Sequence, residues 1–369
     1  MRILIVSTLK RKVGAYEFAS RSRIIYQLGR GLVKKGHEVS LLGTEDSLIP
    51  GVSTISVIEK SWVDSEPVEN EFLKQTSSLA RLAHKLIDIQ NKFDIIHSHT
   101  YPDFFPSILE NDLKIPMVTT LHATYDDYMD ETLALFPKTH FVALSKGYQR
   151  LYKKANIEFV IYNSVDTDLY EFSKEKEDYL FWLGRLPKGK DSKGNFIDPK
   201  GVRNAISLAQ LSGLKLKLYG ACEDREFFER DVKPHLNDKI QWIGDVSSEQ
   251  SLPVKKIIEL MQHAKAIIMS INQEEPFGLV MAEAGSCGTP VIAFNRGSVT
   301  EIIVDGKTGF VVDPKEGVKG LNAAVKKISQ IDPEYCRVHI EKNFGLQKMV
   351  DNYEKIYFQL THSNGSSQK

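Results

Sequence analysis

The sequence predicts an α/β protein with two doubly wound domains, each built on a parallel β-sheet. Near the start, the apolar run 2–7 is followed by a loop, an amphipathic helix and a second apolar run at 39–42. The stretch 265–294 has the same order of strand, loop, helix and strand. Strands buried on both faces of a sheet are apolar almost throughout, and parallel strands are connected by helices. A chain of 369 residues is long enough for two such domains.

The composition excludes some classes of partner. Hydrophobic residues make up 42% of the chain and charged residues 26%, as in ordinary soluble globular proteins. Lys and Arg together number 48, and so do Asp and Glu, so no overall positive field favours nucleic acid. No apolar run approaches the roughly 20 residues that a membrane-spanning helix needs. We therefore expect neither a nucleic-acid partner nor a membrane span.

The cysteines indicate the compartment. Cys222, Cys287 and Cys336 show neither a disulfide pattern nor metal-ligand spacing, which fits a reducing environment. The first strand begins at Arg2, so we expect no signal peptide. Both observations predict a cytoplasmic protein.

The first domain is predicted to span residues 1–170. Its first loop contains Gly14, a candidate for close approach to a phosphate, although an ordinary turn glycine fits as well. The following helix has a basic face that could contact anionic lipid, but a solvated face is the commoner explanation and the one we favour. Residues 44–76 are polar and predict irregular structure. The basic residues before and on the helix are Lys10, Arg11, Lys12, Arg21, Arg23, Arg30, Lys34 and Lys35.

Histidines stand near the ends of two further predicted strands. His97 and His99 lie two apart in the strand 93–99, hence on one face, where they could serve a metal. No third ligand is close to them in the sequence, so we expect no metal there. The strand 116–122 ends in His122, at the edge of the sheet where ligands bind.

The second domain is predicted to span residues 171–345. Its first residues, 171–178, are charged and poor in apolar side chains, which predicts an interdomain linker. Arg185 follows the next strand, and Lys200 precedes a helix. The glycine- and lysine-rich stretch 187–195 between them predicts a mobile inserted loop.

The last predicted helix spans residues 346–361 and contains Tyr353 and Tyr357. The tail from His362 to Lys369 is polar and is predicted to be disordered.

The central stretch runs from Glu274 to Gly285. It follows an apolar strand, and its acidic residues lie at the carboxyl end of that strand and one turn into the next helix. Gly278 and the amides after it can approach an anion closely, and the helix dipole favours one there. Glu275 and Glu283 on either side suit a ligand with hydroxyls flanking a phosphate, as a nucleotide-sugar has. The alternative is that both are solvated acids at a helix start.

The sequence of this region resembles that of a known family. The spacing Glu275-x7-Glu283, continued by Gly288-Thr-Pro-Val-Ile-Ala and by Gly306-Lys-Thr-Gly-Phe-Val-Val-Asp-Pro314, is similar to the signature of the family-four retaining glycosyltransferases. The resemblance runs over most of the chain and implies the GT-B fold, in which two Rossmann-like domains face each other. It also implies that the last helix, 346–361, packs back on the first domain. It implies transfer of a sugar from a nucleoside-diphosphate sugar, with no metal or other cofactor.

The resemblance also implies roles for individual residues. Arg185 and Lys200 would hold the diphosphate, Glu275 the sugar hydroxyls and Glu283 the ribose, while His122 would contact the donor sugar. For His122 the alternative is a strand-end histidine bonded to backbone. The donor-binding set is Gly14, Gly220, Ile243, Val246, Pro276, Phe277, Gly278, Leu279, Val280 and Glu283.

Three departures from the family pattern bear on these roles. Gly14 is followed by Ala15 and not by a second glycine. Arg185 and Lys200 are 15 positions apart, further than usual, so the lysines of the insert are rivals for the role of Lys200. Ser164 replaces a glycine in the turn that ends in Asp166. That turn explains the Asp-x-Asp pattern of Asp166 and Asp168 better than a metal site does. The rival lysines are Lys188, Lys190 and Lys193.

Other functions remain open at this point. A nucleotide-sugar epimerase and a phosphorylase share the architecture, and a phosphorylase would need a lysine that carries pyridoxal phosphate. A non-catalytic nucleotide-sugar-binding protein would have lost Arg185, Lys200 or Glu275, and the sequence keeps a candidate for each. The acceptor, whether glycan, lipid or small molecule, is not identified by the sequence.

Overall fold

The structure, a computed structural model, describes residues 1–363, so most of the predicted disordered tail lies outside the described residues. The chain divides into two units. The first is Met1–Ser164 together with the chain from Leu346 onward, and the second is Val165–Gly345.

Each unit contains one sheet of parallel strands. In the first unit the strand order is β3-β2-β1-β4-β5-β6-β7, and in the second it is β10-β9-β8-β11-β12-β13. The strands of the first unit are β1 Arg2–Val6, β2 Glu38–Thr44, β3 Ser53–Ile58, β4 Ile95–Ser98, β5 Met117–Thr120, β6 His140–Ala143 and β7 Phe159–Val160. Those of the second are β8 Tyr179–Leu183, β9 Lys215–Tyr219, β10 Ile240–Trp242, β11 Ala266–Met269, β12 Val291–Phe294 and β13 Gly309–Val312.

Helices connect these strands. They are α1 Ser20–Lys34, α2 Glu71–Ile89, α3 Asp127–Leu133, α4 Lys146–Gln149, α5 Val202–Ser212, α6 Arg225–Phe227, α7 Val254–Gln262, α8 Leu279–Ser286, α9 Val299–Ile302, α10 Gly317–Val325, α11 Pro333–Phe344 and α12 Leu346–Ser363. Among the helices within residues 1–363, none combines the length and apolar character that crossing a membrane requires.

The helix α12 belongs to the first unit, where it packs on α1. Gly31 permits this contact, because a Cβ there would come within 2.3 Å of the Val350 side chain. Lys35 adds ion pairs to Asp351, at 2.6 Å, and to Glu354 at the same interface. Tyr353 of α12 is buried and 1% exposed.

Two features differ from the sequence prediction. Residues 44–76, predicted to be irregular, contain the strand β3 and the start of α2. β3 lies at the edge of its sheet and is half exposed, so it lacks the apolar run that marks the other strands. The segment 171–178 is not a linker between the units, because Ser173 and Glu177 donate backbone hydrogen bonds to Cys287 and His263 of the second unit. The division between the units falls instead after Ser164.

Candidate functional site

The two sheets have the same kind of switch point. In the first unit the strand order reverses between β1 and β4, and in the second between β8 and β11. Loops that leave the carboxyl ends of such strands diverge to opposite faces of the sheet and leave a crevice there, where ligands of open α/β sheets bind. Each unit therefore has one expected site, at the carboxyl edge of its sheet.

In the second unit the loop from β11 to α8 lies at this edge. Gly278 begins α8 in the left-handed conformation, with φ 79° and ψ 64°. A Cβ on Gly278 would come within 2.3 Å of Met281 and 3.2 Å of Glu275, so only glycine fits both the backbone and the space. Phe277 is 1% exposed and anchors the loop in the core.

Lys200 and Glu275 meet at this edge. The Lys200 Nζ lies 2.7 Å from a carboxylate oxygen of Glu275. The backbone of Gly201 passes so close to Ser270 that a Cβ would fall 1.6 Å from the Ser270 carbonyl oxygen. Asp198 accepts hydrogen bonds from the first amides of α5, which fixes the turn that presents Lys200.

Arg185 follows β8 and stands beside a different acid. Its guanidinium lies 3.3 Å from Glu223 and is 55% exposed. Gly220, at the end of the neighbouring β9, approaches Gly184 so closely that a Cβ would fall 1.6 Å from the Gly184 carbonyl oxygen. Arg185 and Lys200 therefore lie at the same edge of the sheet but pair with different carboxylates.

The insert between Arg185 and Lys200, predicted to be a mobile loop, contains a short hairpin in the structure. Lys190 and Phe196 form an antiparallel bridge, and Asp191 closes the turn by accepting hydrogen bonds from two backbone amides. Phe196 is 3% exposed and stacks on Phe227 with 5.7 Å between ring centroids. Lys190 lies over the Phe196 ring and 3.5 Å from Glu226, not beside Glu275.

The remaining predicted donor residues of this unit also lie along its carboxyl edge. Ile243 and Val246 follow β10, and the Ile243 amide still donates to Leu218 of β9. Leu279 and Val280 open α8. Glu283 lies one turn further on and is 4% exposed. Pro276 is buried beside Phe277.

Sequence reasoning missed the segment that holds the Glu275 turn. After β12, the Ser298 amide donates to the Glu275 carbonyl at 3.0 Å, and its hydroxyl donates to the Phe277 carbonyl at 2.7 Å. Arg296 lies 3.3 Å from Glu274. Gly297 is required because a Cβ there would come within 2.3 Å of the Glu275 carbonyl oxygen. Only its position could have indicated this role, because the segment follows β12, the strand next to β11 in the sheet.

In the first unit, Gly14 lies in the loop after β1. Its backbone does not have a positive φ. A Cβ would meet only Glu17, at 3.4 Å. The fold alone therefore does not require glycine at this position.

His97 is held inside the first unit. Its Nδ1 lies 2.6 Å from the Tyr357 hydroxyl and its Nε2 lies 2.8 Å from the Thr120 hydroxyl. The Thr120 hydroxyl also bonds that of Tyr353, so α12 and β5 both fix the ring. Across residues 1–363, no group of three or more His, Cys, Asp or Glu side chains is arranged to hold a metal ion.

His99 and His122 form a hydrogen-bonded pair at the carboxyl ends of β4 and β5. The Nδ1 of His99 lies 2.8 Å from the Nε2 of His122. Asp103 accepts hydrogen bonds from the amides of His122 and Ala123, at 2.7 and 2.8 Å. Arg21 completes the arrangement with an ion pair to Asp103 at 2.6 Å, in which the carboxylate is 1% exposed. Residue pairs so distant in the chain left no local signal in the sequence.

Burial keeps these histidines neutral. It lowers the pKa of His97 to about 3. It lowers the pKa of His99 and of His122 well below the usual value, and neighbouring positive charge, including that of Arg21, lowers them further. Near pH 7 the carboxyl edge of the first unit therefore offers neutral hydrogen-bonding groups around its histidines.

Family models match both units. The model of Glycosyltransferase Family 4 matches residues 22–169, and that of Glycosyl transferases group 1 matches residues 171–343. Among curated proteins, a glycogen synthase of Mycobacterium tuberculosis is 24% identical over 411 residues, covering 97% of this chain and 94% of that protein. The N-acetyl-alpha-D-glucosaminyl L-malate synthase of Bacillus anthracis is 22% identical, covering 95% of this chain and 97% of its own.

Solved structures agree in fold. A sucrose-phosphate synthase from Thermosynechococcus elongatus superposes with a TM-score of 0.76 and 18% identity, covering 98% of this chain and all of that one. The Anabaena protein Alr3699/HepE, in complex with UDP and glucose, superposes with a TM-score of 0.70 and 16% identity, covering 98% of this chain and 100% of its own. Two parallel α/β units, the two matching family models and relatives matched along nearly their whole length lead to one conclusion: the chain belongs to the family-four glycosyltransferases of the GT-B fold.

Proposed function

We propose that this glycosyltransferase takes its sugar from a nucleoside-diphosphate sugar, retains the anomeric configuration and works without a bound metal. The observation that carries the proposal is the Lys200–Glu275 pair, 2.7 Å apart at the switch point of the second unit and next to Gly278. A cation beside a glycine-opened helix start suits a diphosphate, and a carboxylate beside it suits sugar hydroxyls.

The charges of the second unit fit the departure of a diphosphate. Lys200 and Arg185 would stabilise the negative charge that grows on the leaving group. Glu275 lies beside Lys200 and Glu223 beside Arg185, so a diphosphate would compete with both carboxylates for the two cations. Binding of the donor would replace these carboxylates as partners of the two cations and would leave Glu275 to accept hydrogen bonds from the sugar.

The chemistry needs no strong base in the first unit. In the proposed reaction the bond between the anomeric carbon and the phosphate oxygen breaks on the face where the acceptor oxygen bonds. The proton of the acceptor hydroxyl passes to the departing phosphate. A neutral His122 can hydrogen-bond to the sugar, which agrees with the lowering of its pKa by burial.

Solved relatives and named relatives support the donor class but leave the acceptor open. The Anabaena structure contains UDP and glucose, and a starch synthase from Arabidopsis with a TM-score of 0.72 and 14% identity contains ADP and acarbose. We therefore propose a nucleoside-diphosphate hexose donor, with the base and the acceptor to be found by experiment.

The test has two stages. Thermal-shift screening with UDP-, ADP- and GDP-hexoses identifies the donor, because at equal concentration the ligand that binds more tightly stabilises the folded protein more. Turnover of that donor in excess EDTA is then followed by proton NMR of the anomeric centre. We expect transfer with retained configuration and undiminished rate. An inverted product would contradict retention, and loss of activity restored by one divalent ion would contradict metal independence.

A further inference from the structure

The pair of histidines at the carboxyl edge of the first unit determines where a proton sits. His99 and His122 are joined through Nδ1 of the former and Nε2 of the latter, 2.8 Å apart. A neutral imidazole carries one N–H and one bare nitrogen, so in this bond one histidine donates and the other accepts. Both rings are neutral near pH 7 because burial lowers their pKa.

The other nitrogen of His99 decides the direction of the bond. His99 is 0% exposed, and its Nε2 has no hydrogen-bond partner among residues 1–363. If His122 were the donor, His99 would carry its only proton on this Nε2, as a buried N–H without an acceptor. Buried N–H groups without a partner are rarer in folded proteins than under-used acceptors, because a donor removed from water without a new acceptor destabilises the folded state.

The alternative leaves the buried His99 without an unpaired donor. With its proton on Nδ1, His99 donates to His122 Nε2, and its own Nε2 is a bare nitrogen beside the His97 ring, whose centroid is 4.0 Å from that of His99. His97 already uses both nitrogens, with Tyr357 and Thr120, so it offers nothing further to His99.

The consequence falls on His122. Since its Nε2 accepts, a neutral His122 must carry its proton on Nδ1. That nitrogen makes no hydrogen bond within the part of the chain that the structure describes, and Asp103 holds the backbone on which the ring is mounted.

We propose that His99 is a positioning residue that holds His122 in the Nδ1–H tautomer, so that His122 acts on the donor sugar as a hydrogen-bond donor and not as an acceptor or base. The second half of this inference rests on the proposed function, because it assigns His122 to the sugar. The first half does not. The sugar oxygen that meets His122 must then supply a lone pair.

The tautomer is tested directly by NMR of the full-length chain labelled with ¹⁵N-histidine. Long-range proton–nitrogen spectra distinguish the two tautomers of each ring, and a His122→Gln variant assigns the signals of interest. In the unsubstituted protein we expect His122 to carry its proton on Nδ1. A proton on Nε2 of His122 would overturn the inference, and the tautomer itself is read in the unsubstituted protein.

Two substitutions of His99 test the cause. In His99→Asn the side-chain amide takes the place of Nδ1–H and should keep the His122 tautomer. In His99→Leu that donor is lost, and the proton should move to His122 Nε2, the tautomer that histidine favours in water. His97 should keep its tautomer in both variants. An unchanged His122 in His99→Leu would show that His99 does not set the tautomer.

Binding separates this inference from the proposed function. We expect His99→Leu to weaken nucleotide-sugar binding at least threefold while leaving nucleoside-diphosphate binding unchanged, and His99→Asn to restore the difference. If the tautomer moves and neither affinity changes, the role of His99 stands and the assignment of His122 to the sugar is wrong.

Discussion

The carboxyl edges of the two sheets occupy the same position in the same topology, yet they carry opposite kinds of chemistry. The second unit places charged side chains there, with Arg185 55% exposed and Lys200 paired with Glu275. The first unit places neutral histidine rings there: His97 is held by tyrosine and threonine hydroxyls, and His99 and His122 bond each other. Under the proposed function this contrast would be a division of labour, in which the second unit holds the diphosphate and His122 of the first unit adds a contact to the sugar that Glu275 also binds.

The two edges are also held in place by different interactions. In the second unit, close backbone approaches at Gly201, Gly220 and Gly297 set the loops, and the charges stand on a rigid frame. In the first unit, side-chain hydrogen bonds do this work, from α12 through His97 and from Arg21 through Asp103. We therefore expect substitution of the cations in the second unit to lower turnover. Substitution of the histidines in the first unit should instead disturb the hydrogen bonds that hold its edge.

The largest expected effect is the loss of turnover when a cation of the second unit is removed. Lys200→Ala should lower turnover roughly a hundredfold, about 3 kcal/mol, because the lost charge matters most as the diphosphate departs. Lys193→Ala is the matched control, since this exposed lysine of the hairpin should be nearly silent. Steady-state kinetics with the identified donor measure both.

The same kinetic measurements can contradict the role proposed for Lys200. Nearly normal turnover in Lys200→Ala, or a large loss of turnover in Lys193→Ala, would indicate that a hairpin lysine stabilises the departing diphosphate. Arg185→Ala should behave like Lys200→Ala, with a smaller effect on the apparent binding constant of the donor than on turnover.

A smaller effect is expected on stability, from the neutral histidine core of the first unit. The pKa of His97 is lowered from 6.5 to about 3, so between these values the unfolded chain binds a proton that the folded chain does not. The free energy of unfolding therefore falls as the pH falls, by up to about 1.4 kcal/mol per pH unit from this group. His97→Gln should remove that part of the slope.

Urea unfolding between pH 6 and pH 4 gives this slope. His84→Gln serves as the control, because His84 is exposed beside Asp88 and should leave the slope unchanged. Equal slopes in His97→Gln and the unsubstituted protein would mean that His97 is protonated in the folded state and that this edge is not neutral.

The sequence predicted the parts of this molecule that leave local signals. Apolar runs marked the central strands, and Gly278 marked the turn before a helix, where the structure has a φ of 79°. The place of Lys200 directly before a helix favours it over the hairpin lysines. The structure puts it beside Glu275, which supports that choice while its role remains a prediction.

What the sequence did not predict depends on contacts between distant residues or on half-buried structure. Arg21 and Asp103 are separated by 82 positions, and no periodicity links them. The edge strand β3 has too few apolar residues to be distinguished from a loop. Phe196 anchors the hairpin in the core, but one aromatic residue among lysines and glycines gave no sign of it.

The division of labour is tested most directly by calorimetric titration of two variants with two ligands. The ligands are the nucleoside diphosphate and the complete nucleotide-sugar. Glu283→Ala should weaken both about tenfold or more, since ribose hydroxyls that bond to a carboxylate are common to the two ligands. His122→Ala should weaken only the nucleotide-sugar. Equal weakening of both ligands by His122→Ala, or unchanged affinities in Glu283→Ala, would contradict the account.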